Sequence, residues 1–445
     1  MELTNNTPLR LAHDFIEQTG RNVFLTGRAG TGKTTFLRHI RNNSFKRSVV
    51  VAPTGVAAIN AGGVTIHSFF QLPFGPLIPE EGRNQAASPD NQQQHFAKIT
   101  KEKINIIRSL DLLIIDEVSM VRADLLDGID GVMRRYRDRN RPFGGVQLLL
   151  IGDLQQLPPV VKEEERELLS QYYTTFYFFG SRALRQTNYI SIELTHIYRQ
   201  SDKTFIHLLN KIRNNDADAT VFSKINERYM YDTSLLHDDG YITLTTHNHQ
   251  ARSINQSRLE ELAGSKRHYT AKVEGEFSET SYPTEEKLTL KKGAQVMFVK
   301  NDPSPDKLFY NGKIGTVKSL EDDMIYVSCP GDESHIAVTP LTWENNRYTL
   351  DPETREIKET TIGSFTQFPL KLAWAITIHK SQGLTFDKAI IDAAAAFSHG
   401  QVYVALSRCK TLEGLVLSTK LNPHAVKSDF SIIDFNQSIS RNQPG

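Results

Sequence analysis

Cysteines and long apolar runs are scarce in this sequence. Only Cys329 and Cys409 are cysteines among 445 residues, and they lie far apart, so we expect neither a disulfide framework nor a zinc cluster. No stretch approaches the roughly 18 apolar residues of a membrane-spanning helix, and residues 1–15 lack the basic and apolar segments of a secretory signal. We therefore expect a soluble intracellular protein without a membrane partner. It would be cytoplasmic in a bacterium, or nuclear or in the mitochondrial matrix in a eukaryote.

An excess of charge of either sign is also missing. The 52 Lys and Arg residues nearly balance the 51 Asp and Glu residues, which leaves a net charge of +1. This argues weakly against coating of nucleic acid by bulk charge, although it is compatible with a groove lined by basic residues. The local basic run comprises Arg134, Arg135, Arg137, Arg139 and Arg141. A solvated helix end and a phosphate-binding surface are equally good interpretations of this run.

Short runs of Val, Leu and Ile are abundant in the first 185 residues. They lie at 22–26, 48–52, 111–115 and 146–151. Consecutive apolar residues are typical of parallel strands that are buried on both faces. Helical periodicity separates these runs, which predicts an α/β fold with a doubly wound sheet.

The 445 residues suggest about three domains. We predict a first α/β domain at 1–185 and a second formed by 186–288 and 362–433. Short strands with intervening turn residues predict a small all-β module inserted at 289–361, and 434–445 reads as a polar tail. Three prolines and a glycine within 71–79 predict an insertion on the first domain at about 68–100.

A phosphate-binding loop follows the first predicted strand. Two fixed glycines, a lysine and a hydroxyl fit the phosphate-loop pattern between a strand and a helix. The backbone N–H groups would surround phosphate oxygens, Lys33 would reach the β- and γ-phosphates, and Thr34 would bind Mg²⁺. The predicted nucleotide-binding residues are Gly27, Ala29, Gly30, Thr31, Gly32, Lys33, Thr34 and Thr35.

Polar residues end two further strands of the first domain. Asp116 and Glu117 follow the strand at 111–115, where Asp116 would hold Mg²⁺ and Glu117 would activate water. Gln156 follows the strand at 146–151, where it would contact the γ-phosphate or the attacking water and report hydrolysis; a plain turn is the alternative interpretation. No Asn-Lys-x-Asp motif for guanine is present, so we expect ATP and Mg²⁺ rather than GTP.

Together these motifs resemble the superfamily-one DNA helicases, and more narrowly the petite-integration-frequency helicase family, relatives of the RecD group. The resemblance covers residues 20–420. The matching stretches are 27–35, 52–58 with 65–69, 116–120 with 142–145, 152–159, 194–200, 378–385 and 403–409, in the order of that family.

The resemblance implies an ATP-dependent DNA helicase with two RecA-like domains and ATP in the cleft between them. It implies movement 5′ to 3′ on single-stranded DNA, binding at single-strand/duplex junctions, and a Src-homology-3-like barrel where we predict the β module. Roles in repair, recombination, replication or telomere maintenance follow from the family. The chain resembles a bare helicase core, and we expect a monomer in solution, with oligomers on DNA left open.

The resemblance also assigns residues of the second domain. Arg199 and Arg408 would point at the γ-phosphate, where a guanidinium stabilises spreading negative charge, and Gly383 would approach phosphate closely. The implied DNA-binding residues are Pro53, Thr54, Gly55, His67, Ser68, Phe69, Thr246, His247, Asn248, His379, Lys380 and Ser381. Phe69 has two interpretations, base stacking and core packing, and a metal site at residues 247–249 is not expected.

The apolar, proline-stiffened segment 70–77 is a candidate wedge for splitting duplex DNA. Two other functions share the same motor residues. One is a translocase that strips proteins from single strands and unwinds poorly, and the other is a nucleotide-gated binding switch. Glu117 and the two arginines favour a hydrolysing motor over the switch.

Overall fold

The computed structural model divides into two compact units. Unit 1 comprises 1–198, 346–360 and 429–445, and unit 2 comprises 199–345 and 361–428. The structure describes residues 6–79, 99–198, 202–233, 236, 240–351, 353–354, 356–392, 399–426 and 429–441. In these ranges, no helix is long and apolar enough to span a bilayer.

Unit 1 is built around a sheet whose strand order is β3-β2-β4-β5-β1-β6. Every neighbouring pair in this sheet is parallel. Its strands are β1 (Asn22–Gly27), β2 (Ser48–Ala52), β3 (Val64–Thr65), β4 (Leu112–Ile115), β5 (Gln147–Gly152) and β6 (Tyr189–Leu194). The strands predicted at 22–26, 48–52, 111–115 and 146–151 are therefore confirmed to within a residue at each end.

Alternate residues of each strand point to opposite faces of the sheet. Since these side chains are apolar on both faces, helices cover both. In β1, Phe24 joins one core while Val23 and Leu25 join the other. In the described residues before 199, the α-helices of unit 1 are α1 (Thr7–Gln18), α2 (Lys33–Asn43), α3 (Gly55–Ala61), α4 (Ile66–Phe70), α5 (Lys101–Ser109), α6 (Ala123–Tyr136), α7 (Glu163–Ser170) and α8 (Arg182–Arg185). With both faces covered, polar residues concentrate at the ends of the strands.

Unit 2 contains one parallel sheet and a group of antiparallel strands. The parallel sheet has the order β18-β7-β19-β20. The strands that lie wholly or partly in unit 2 are β7 (Ile242–Thr245), β8 (Arg267–Thr270), β9 (Lys272–Gly275), β10 (Lys287–Leu290), β11 (Gln295–Phe298), β12 (Ile314–Leu320), β13 (Ile325–Ser328), β14 (Ile336–Val338), β15 (Leu341–Leu350), β16 (Ile357–Gln367), β17 (Leu370–Leu372), β18 (Ala375–Thr377), β19 (Ala389–Ile391) and β20 (Leu415–Leu417). Its helices are α9 (Lys203–Arg213), α10 (Ala219–Asn226), α11 (Asn248–Glu261) and α12 (Gln401–Leu406).

The antiparallel strands form sheets with the orders β14-β13-β12-β11-β17, β10-β8 and β15-β16-β9. Val296, Val317 and Val327 lie in one apolar core beneath them. The all-β character predicted between the two parts of the second domain is present, although its strands extend beyond 289–361 at both ends.

The structure places three segments in a different domain or element from the one that the sequence predicts. β6 pairs with β1 along six residues, so the first sheet continues past residue 185. Residues 346–360 belong to unit 1 although the chain on either side belongs to unit 2. The expected polar tail is largely a helix, α13 (Phe430–Arg441), whose Ile432 and Phe435 are buried in the core of unit 1. These placements depend on contacts between residues far apart in sequence.

Candidate nucleotide and nucleic-acid site

The polar segments of unit 1 gather at one edge of its sheet. The carboxyl ends of parallel strands meet at the same edge, where α/β proteins bind their ligands. The phosphate loop follows β1, Asp116 and Glu117 follow β4, and Gln156 lies four residues beyond β5. The segments that begin at Pro53 and Ile66 follow β2 and β3. The predicted nucleotide and DNA residues of this unit are therefore neighbours along one edge.

The phosphate loop depends on glycine at its first position. A Cβ on Gly27 would lie 2.7 Å from the Leu194 carbonyl oxygen and 2.8 Å from Thr31 Oγ1, so only glycine fits between β1 and β6. Gly30 and Gly32 have positive φ values of 79° and 93°. Gly32 is the N-cap of α2, which directs the free N–H groups of that helix at the loop.

Lys33 lies inside the loop that it is predicted to serve. Its Nζ donates to the carbonyl oxygens of Gly27 at 2.5 Å and Arg28 at 3.0 Å. Thr31 Oγ1 closes the loop by donating to the same Arg28 carbonyl at 2.9 Å. Thr34 and Thr35 are exposed at the start of α2. A cationic donor, helix N–H groups and an exposed hydroxyl therefore converge where phosphate oxygens and a divalent cation would be held.

The acidic pair after β4 is held in an unusual conformation. The Asp116 N–H donates to the Val51 carbonyl at 2.9 Å, which extends the β2–β4 ladder. Burial raises the pKa of Asp116 to about 6, against the opposing effects of the Glu117 N–H and the Lys33 charge. Glu117 has a φ of 50°, in the left-handed region that a side chain rarely adopts. Such strain collects at functional sites, and the half-buried Asp116 carboxyl near Lys33 suits a cation ligand.

Asp153 is a partner of Gln156 that the sequence analysis did not identify. The Gln156 side chain donates from Nε2 to Asp153 Oδ2 at 3.2 Å, and its N–H donates to the Asp153 carbonyl at 2.9 Å. Asp153 is 1% exposed and Gln156 is 6% exposed. Asp153 is the first residue after β5, and this position at the carboxyl end of a strand is the sequence signal that could have identified it.

Asn6 and Tyr198 are two further neighbours of the phosphate loop that sequence reasoning missed. The Tyr198 N–H donates to the Gly30 carbonyl at 2.9 Å. Asn6 Nδ2 donates to the Tyr198 hydroxyl at 3.2 Å, and Asn6 Oδ1 caps α1 by accepting from the Leu9 N–H. Arg199, the next residue after Tyr198, lies outside the described residues.

The DNA candidates after β2 and β3 are partly exposed. Thr54 is exposed, yet its hydroxyl is the N-cap of α3 and accepts from the Ala57 N–H at 3.2 Å. Pro53 and Gly55 are half-buried beside it. Ser68 is exposed, and His67 is half-buried, with a pKa lowered first by burial and then by Arg122.

The structure corrects the assignment of Phe69 to DNA. Phe69 is 3% exposed and packs edge-on against Phe70, with ring centroids 4.8 Å apart. The exposed aromatic residue nearby is Phe74, which is 88% exposed and stacks on His67 at 4.7 Å. Phe69 therefore belongs to the core, as the second interpretation of this residue held, and Phe74 is available to contact a base.

The insertion that carries Phe74 is anchored at its base. Leu72 and Leu77 are buried in the core of unit 1. Arg122 Nη2 donates to the Gly75 carbonyl at 2.7 Å, and the Leu77 N–H donates to Asp124 Oδ2 at 2.8 Å. The remainder of the predicted insertion, 80–98, lies outside the described residues.

The DNA candidates of unit 2 follow two neighbouring strands. Residues 246–248 follow β7 and 379–381 lie just beyond β18, and these strands are paired in parallel. His247, Asn248 and Lys380 are exposed, and burial lowers the pKa of the half-buried His379. Throughout the described ranges, no group of three His, Cys, Asp or Glu side chains could hold a metal ion.

Two of these candidates are more enclosed than expected. Ser381 is 0% exposed, and its hydroxyl donates to the Ile378 carbonyl at 2.7 Å. Thr246 is 6% exposed, with its hydroxyl 2.8 Å from His247 Nδ1. The Ser381 side chain is thus structural, because it closes the turn after β18. Only backbone groups of that residue remain for a DNA phosphate.

Arg408 is buried within unit 2. It is 1% exposed, and its guanidinium donates to the carbonyl oxygens of Val404 at 2.9 Å, Leu384 at 3.3 Å and Ser381 at 3.4 Å. A role at the γ-phosphate would need this arginine to change partners. Gly383 has a φ of 80° and is exposed, and a Cβ placed there would meet no atom within 4 Å. Glycine is favoured at this position by the positive φ of the turn, and not by a close contact within unit 2.

Two arginines of the basic run, Arg134 and Arg137, form hydrogen bonds within unit 1 that stabilise its helices. Arg134 Nε donates to Asp130 at 2.7 Å within α6. Arg137 Nη1 donates to the carbonyl oxygens of Ile107 at 2.8 Å and Arg108 at 2.7 Å, which ties the end of α6 to α5. These contacts favour the helix-end interpretation.

Comparison with known proteins identifies relatives over nearly the whole chain. The sequence profile of the family described as "PIF1-like helicase" matches residues 9–222. The ATP-dependent DNA helicase PIF1 of Homo sapiens is 34% identical over 95% of this chain, but the alignment spans only 62% of the human protein. The ATP-dependent DNA helicase Pif1 of Campylobacter jejuni is 32% identical and covers 93% of this chain and 94% of its own.

Solved structures share the fold. The Bacteroides sp Pif1 in complex with ADP-AlF4 is 42% identical, with a TM-score of 0.90 over 99% of this chain and 98% of that one. The Bacteroides Pif1 bound to ssDNA is also 42% identical, with a TM-score of 0.69 over 98% of this chain and 97% of its own. The predicted α/β class with two RecA-like domains is confirmed by this match.

Proposed function

Because the chain belongs to the PIF1-like helicase family, we propose that it is an ATP-dependent DNA helicase that moves 5′ to 3′ on single-stranded DNA and unwinds duplex. The observation that carries this proposal is one sheet edge in unit 1. There the phosphate loop, the acidic pair after β4 and the exposed residues after β2 lie side by side. The groups of unit 1 that would bind ATP and those that would bind the DNA strand therefore follow strands of one sheet.

We assign nucleotide binding to residues 27–35 and Gly383. Lys33 would exchange its loop carbonyls for β- and γ-phosphate oxygens, and the N–H groups at the start of α2 would hold the remaining oxygens. Thr34 and Asp116 would hold Mg²⁺, which when bound neutralises charge on the phosphate oxygens.

Hydrolysis requires a base for the attacking water. Glu117 would take that proton, and Gln156, fixed by Asp153, would orient the same water. Arg199 and Arg408 would stabilise the charge that spreads over the γ-phosphate. Because Arg408 is hydrogen-bonded to three carbonyls, we expect its recruitment to be a separate conformational step.

The strand contacts would be independent of sequence. Pro53, Thr54, Gly55, His67 and Ser68 in unit 1 offer backbone groups and hydroxyls to phosphates. In unit 2 we assign the same role to Thr246, His247, Asn248, His379, Lys380 and the backbone of Ser381. With lowered pKa values, His67 and His379 would act as neutral hydrogen-bonding groups.

The insertion after α4 would separate the strands at a junction. Phe74 is exposed at its tip while Leu72 and Leu77 hold its base in the core. An aromatic ring on a rigid support can stack on the last base pair and exclude the partner strand. Removal of 72–78 would also remove core residues, so substitution of Phe74 alone is the sharper experiment.

We propose that the antiparallel strands of unit 2 form a Src-homology-3-like barrel, and that the protein acts on single strands and junctions as a monomer. From its membership of this family we also propose roles in repair, recombination, replication or telomere maintenance. Both cysteines are free and buried, which is compatible with the intracellular, reducing compartment that we propose.

Strand displacement on tailed duplexes tests the proposal. We expect ATP-dependent unwinding of a duplex with a 5′ single-stranded tail, little unwinding with a 3′ tail, and none with Lys33→Ala. DNA-stimulated hydrolysis without displacement of either substrate would favour the translocase. Hydrolysis that DNA does not stimulate would overturn the assignment of DNA as substrate.

A further inference from the structure

A hairpin tip lies against the DNA-binding elements of unit 1. β15 begins in unit 2 and ends in unit 1, and β16 returns from unit 1 to unit 2. Residues 346–360, which we call the hairpin tip, pack within unit 1 through the buried Tyr348 and the partly buried Leu350 and Ile357. The sequence gives no sign of this, because the tip is separated from its contacts by about three hundred residues.

The tip supplies a hydrogen bond that β2 lacks. β3 has two residues and pairs with β2 only at Val51 and Ala52, so the Val50 N–H lies beyond that ladder. The Val50 N–H donates to the Tyr348 hydroxyl at 3.2 Å in the buried interior. A buried N–H without a partner is costly, so Tyr348 completes the strand that leads directly to Pro53 and Thr54.

The ring of Tyr348 contacts a second DNA-bearing element. It packs edge-on against Phe69 of α4, with ring centroids 6.1 Å apart and an interplanar angle of 89°. Phe69 directly follows His67 and Ser68 in the same short helix. Tyr348 is 7% exposed, and burial raises the pKa of its hydroxyl to about 12, so it remains a neutral group at any physiological pH.

An ion pair fixes the tip to a third element. Arg41 of α2 donates from Nη2 to Glu359 Oε1 at 2.7 Å and to Oε2 at 2.8 Å. Asn346 Nδ2 also donates to Glu359 Oε2 at 3.2 Å. The Arg41 guanidinium covers Gly62, where a Cβ would lie 2.1 Å from Nη1. Gly62 ends α3, the helix that Thr54 begins.

We infer that the hairpin tip positions the first-unit DNA-binding surface, with Tyr348 as its principal positioning residue. Each element that carries or leads to a DNA candidate in unit 1 has a contact to the tip or to its ion pair: β2, which leads to Pro53, through Val50, α3 through Gly62 and α4 through Phe69. This inference rests on the proposed binding of single-stranded DNA and deepens it. Tyr348 itself need not touch DNA.

The test uses the full chain and DNA-stimulated ATP hydrolysis with an oligothymidine activator. We expect Tyr348→Phe, which removes the hydroxyl but keeps the ring, to raise the DNA concentration for half-maximal stimulation about threefold. Tyr348→Leu, which removes both contacts, should raise it about tenfold. Hydrolysis at saturating DNA and the affinity for a fluorescent ADP analogue should stay within about twofold, because the surface is displaced rather than lost.

Phe178→Leu is the matched control. Phe178 is a fully buried aromatic residue of the same core, and its ring contacts are with Phe24, Phe179 and Phe435. It should lower the urea midpoint of unfolding while leaving half-maximal stimulation within about twofold of the parent chain. Glu359→Gln, at a partly exposed site, should raise the half-maximal concentration about threefold, outside the range allowed to the control, and serves if Tyr348→Leu does not fold.

The outcomes separate the two proposals. A parent chain that binds no oligothymidine would overturn both. If the parent chain binds and Tyr348→Leu shifts the half-maximal concentration no more than Phe178→Leu does, the positioning role alone is wrong. A graded shift from Tyr348→Phe to Tyr348→Leu, absent from the control, supports it.

Discussion

The two units present their functional residues in different ways. In unit 1, Thr34, Ser68 and Phe74 are exposed, and the half-buried Lys33 is hydrogen-bonded to carbonyls of its own loop. In unit 2, Arg408 and Ser381 are buried and hydrogen-bonded to the backbone of their own unit. His247, Asn248 and Lys380 of unit 2 are exposed like the candidates of unit 1, so the contrast between the units lies in Arg408 and Ser381, which occupy structural positions. Substitution of the unit 1 residues should therefore change activity with little change in stability, whereas substitution of Arg408 in unit 2 should change both.

The largest expected difference is between Lys33→Ala and Arg408→Ala. Lys33→Ala should reduce ATP hydrolysis by at least about 100-fold and change the free energy of unfolding by less than about 1 kcal/mol. Arg408→Ala should also reduce hydrolysis, yet it should lower the free energy of unfolding by about 3 kcal/mol, because it leaves a cavity and unpaired buried carbonyls. Hydrolysis rates and urea unfolding measure both effects.

The exposed Arg10 of α1 provides the control, since Arg10→Ala should change neither quantity. An Arg408→Ala protein as stable as the parent chain would mean that the buried hydrogen bonds contribute little. The contrast between the units would then be one of position only.

A smaller effect is expected from Phe74→Ala. Loss of the exposed ring should slow unwinding of a forked duplex about tenfold, equivalent to roughly 1.4 kcal/mol of stacking. Hydrolysis stimulated by single-stranded DNA should stay within about twofold. Val160→Ala, at another exposed apolar residue, is the control. Equal losses of unwinding and stimulated hydrolysis would show that Phe74 grips the single strand instead of separating the duplex.

The smallest effect concerns the two histidines, one in each unit. Since the pKa values of His67 and His379 are lowered from 6.5, both are neutral at pH 7 to 8 and release no counterions on binding. His67→Gln and His379→Gln should leave the salt dependence of DNA affinity nearly unchanged, whereas Lys380→Gln should reduce its logarithmic slope by about 0.7. Fluorescence anisotropy across a salt series measures this slope.

The lowered pKa values of His67 and His379 also determine the direction in which the free energy of unfolding changes with pH. Each histidine binds a proton more readily in the unfolded chain than in the folded one, so its contribution to folding is complete above its ordinary value of 6.5 and is lost as the pH falls. If the contribution of either histidine to the free energy of unfolding increased as the pH fell, burial would not be the dominant effect on its pKa.

Sequence reasoning succeeded where the determining pattern is local. A glycine loop after an apolar strand specifies the surroundings of Lys33, and an acidic pair after another specifies Asp116 and Glu117, because parallel strands bring their carboxyl ends to one edge. The strand predictions were accurate for the same reason, since continuous apolar runs indicate burial on both faces.

Sequence reasoning fell short where tertiary packing decides. Nothing local distinguishes Phe69, which is buried, from Phe74, which is exposed five residues later. The ring of Phe69 is enclosed by Phe70 and by Tyr348, which is distant in sequence. The hydrogen bond that joins Asp153 to Gln156 depends on the fold of the loop after β5, so the sequence alone does not assign Asp153 a role. The burial of Arg408 likewise depends on carbonyls contributed by two separate segments.

The late position of α13 in the chain has a consequence for synthesis. Phe435 stacks on Phe179 with ring centroids 4.2 Å apart, and Ile432 is fully buried in the same core. A nascent chain therefore exposes most of the apolar residues of unit 1 long before Tyr348 and Phe435 leave the ribosome. Domains generally fold as units during synthesis, so we expect the core of unit 1 to be completed only after α13 emerges, when residues 199–428 have already emerged. This interval is when a chaperone would have the most surface to bind.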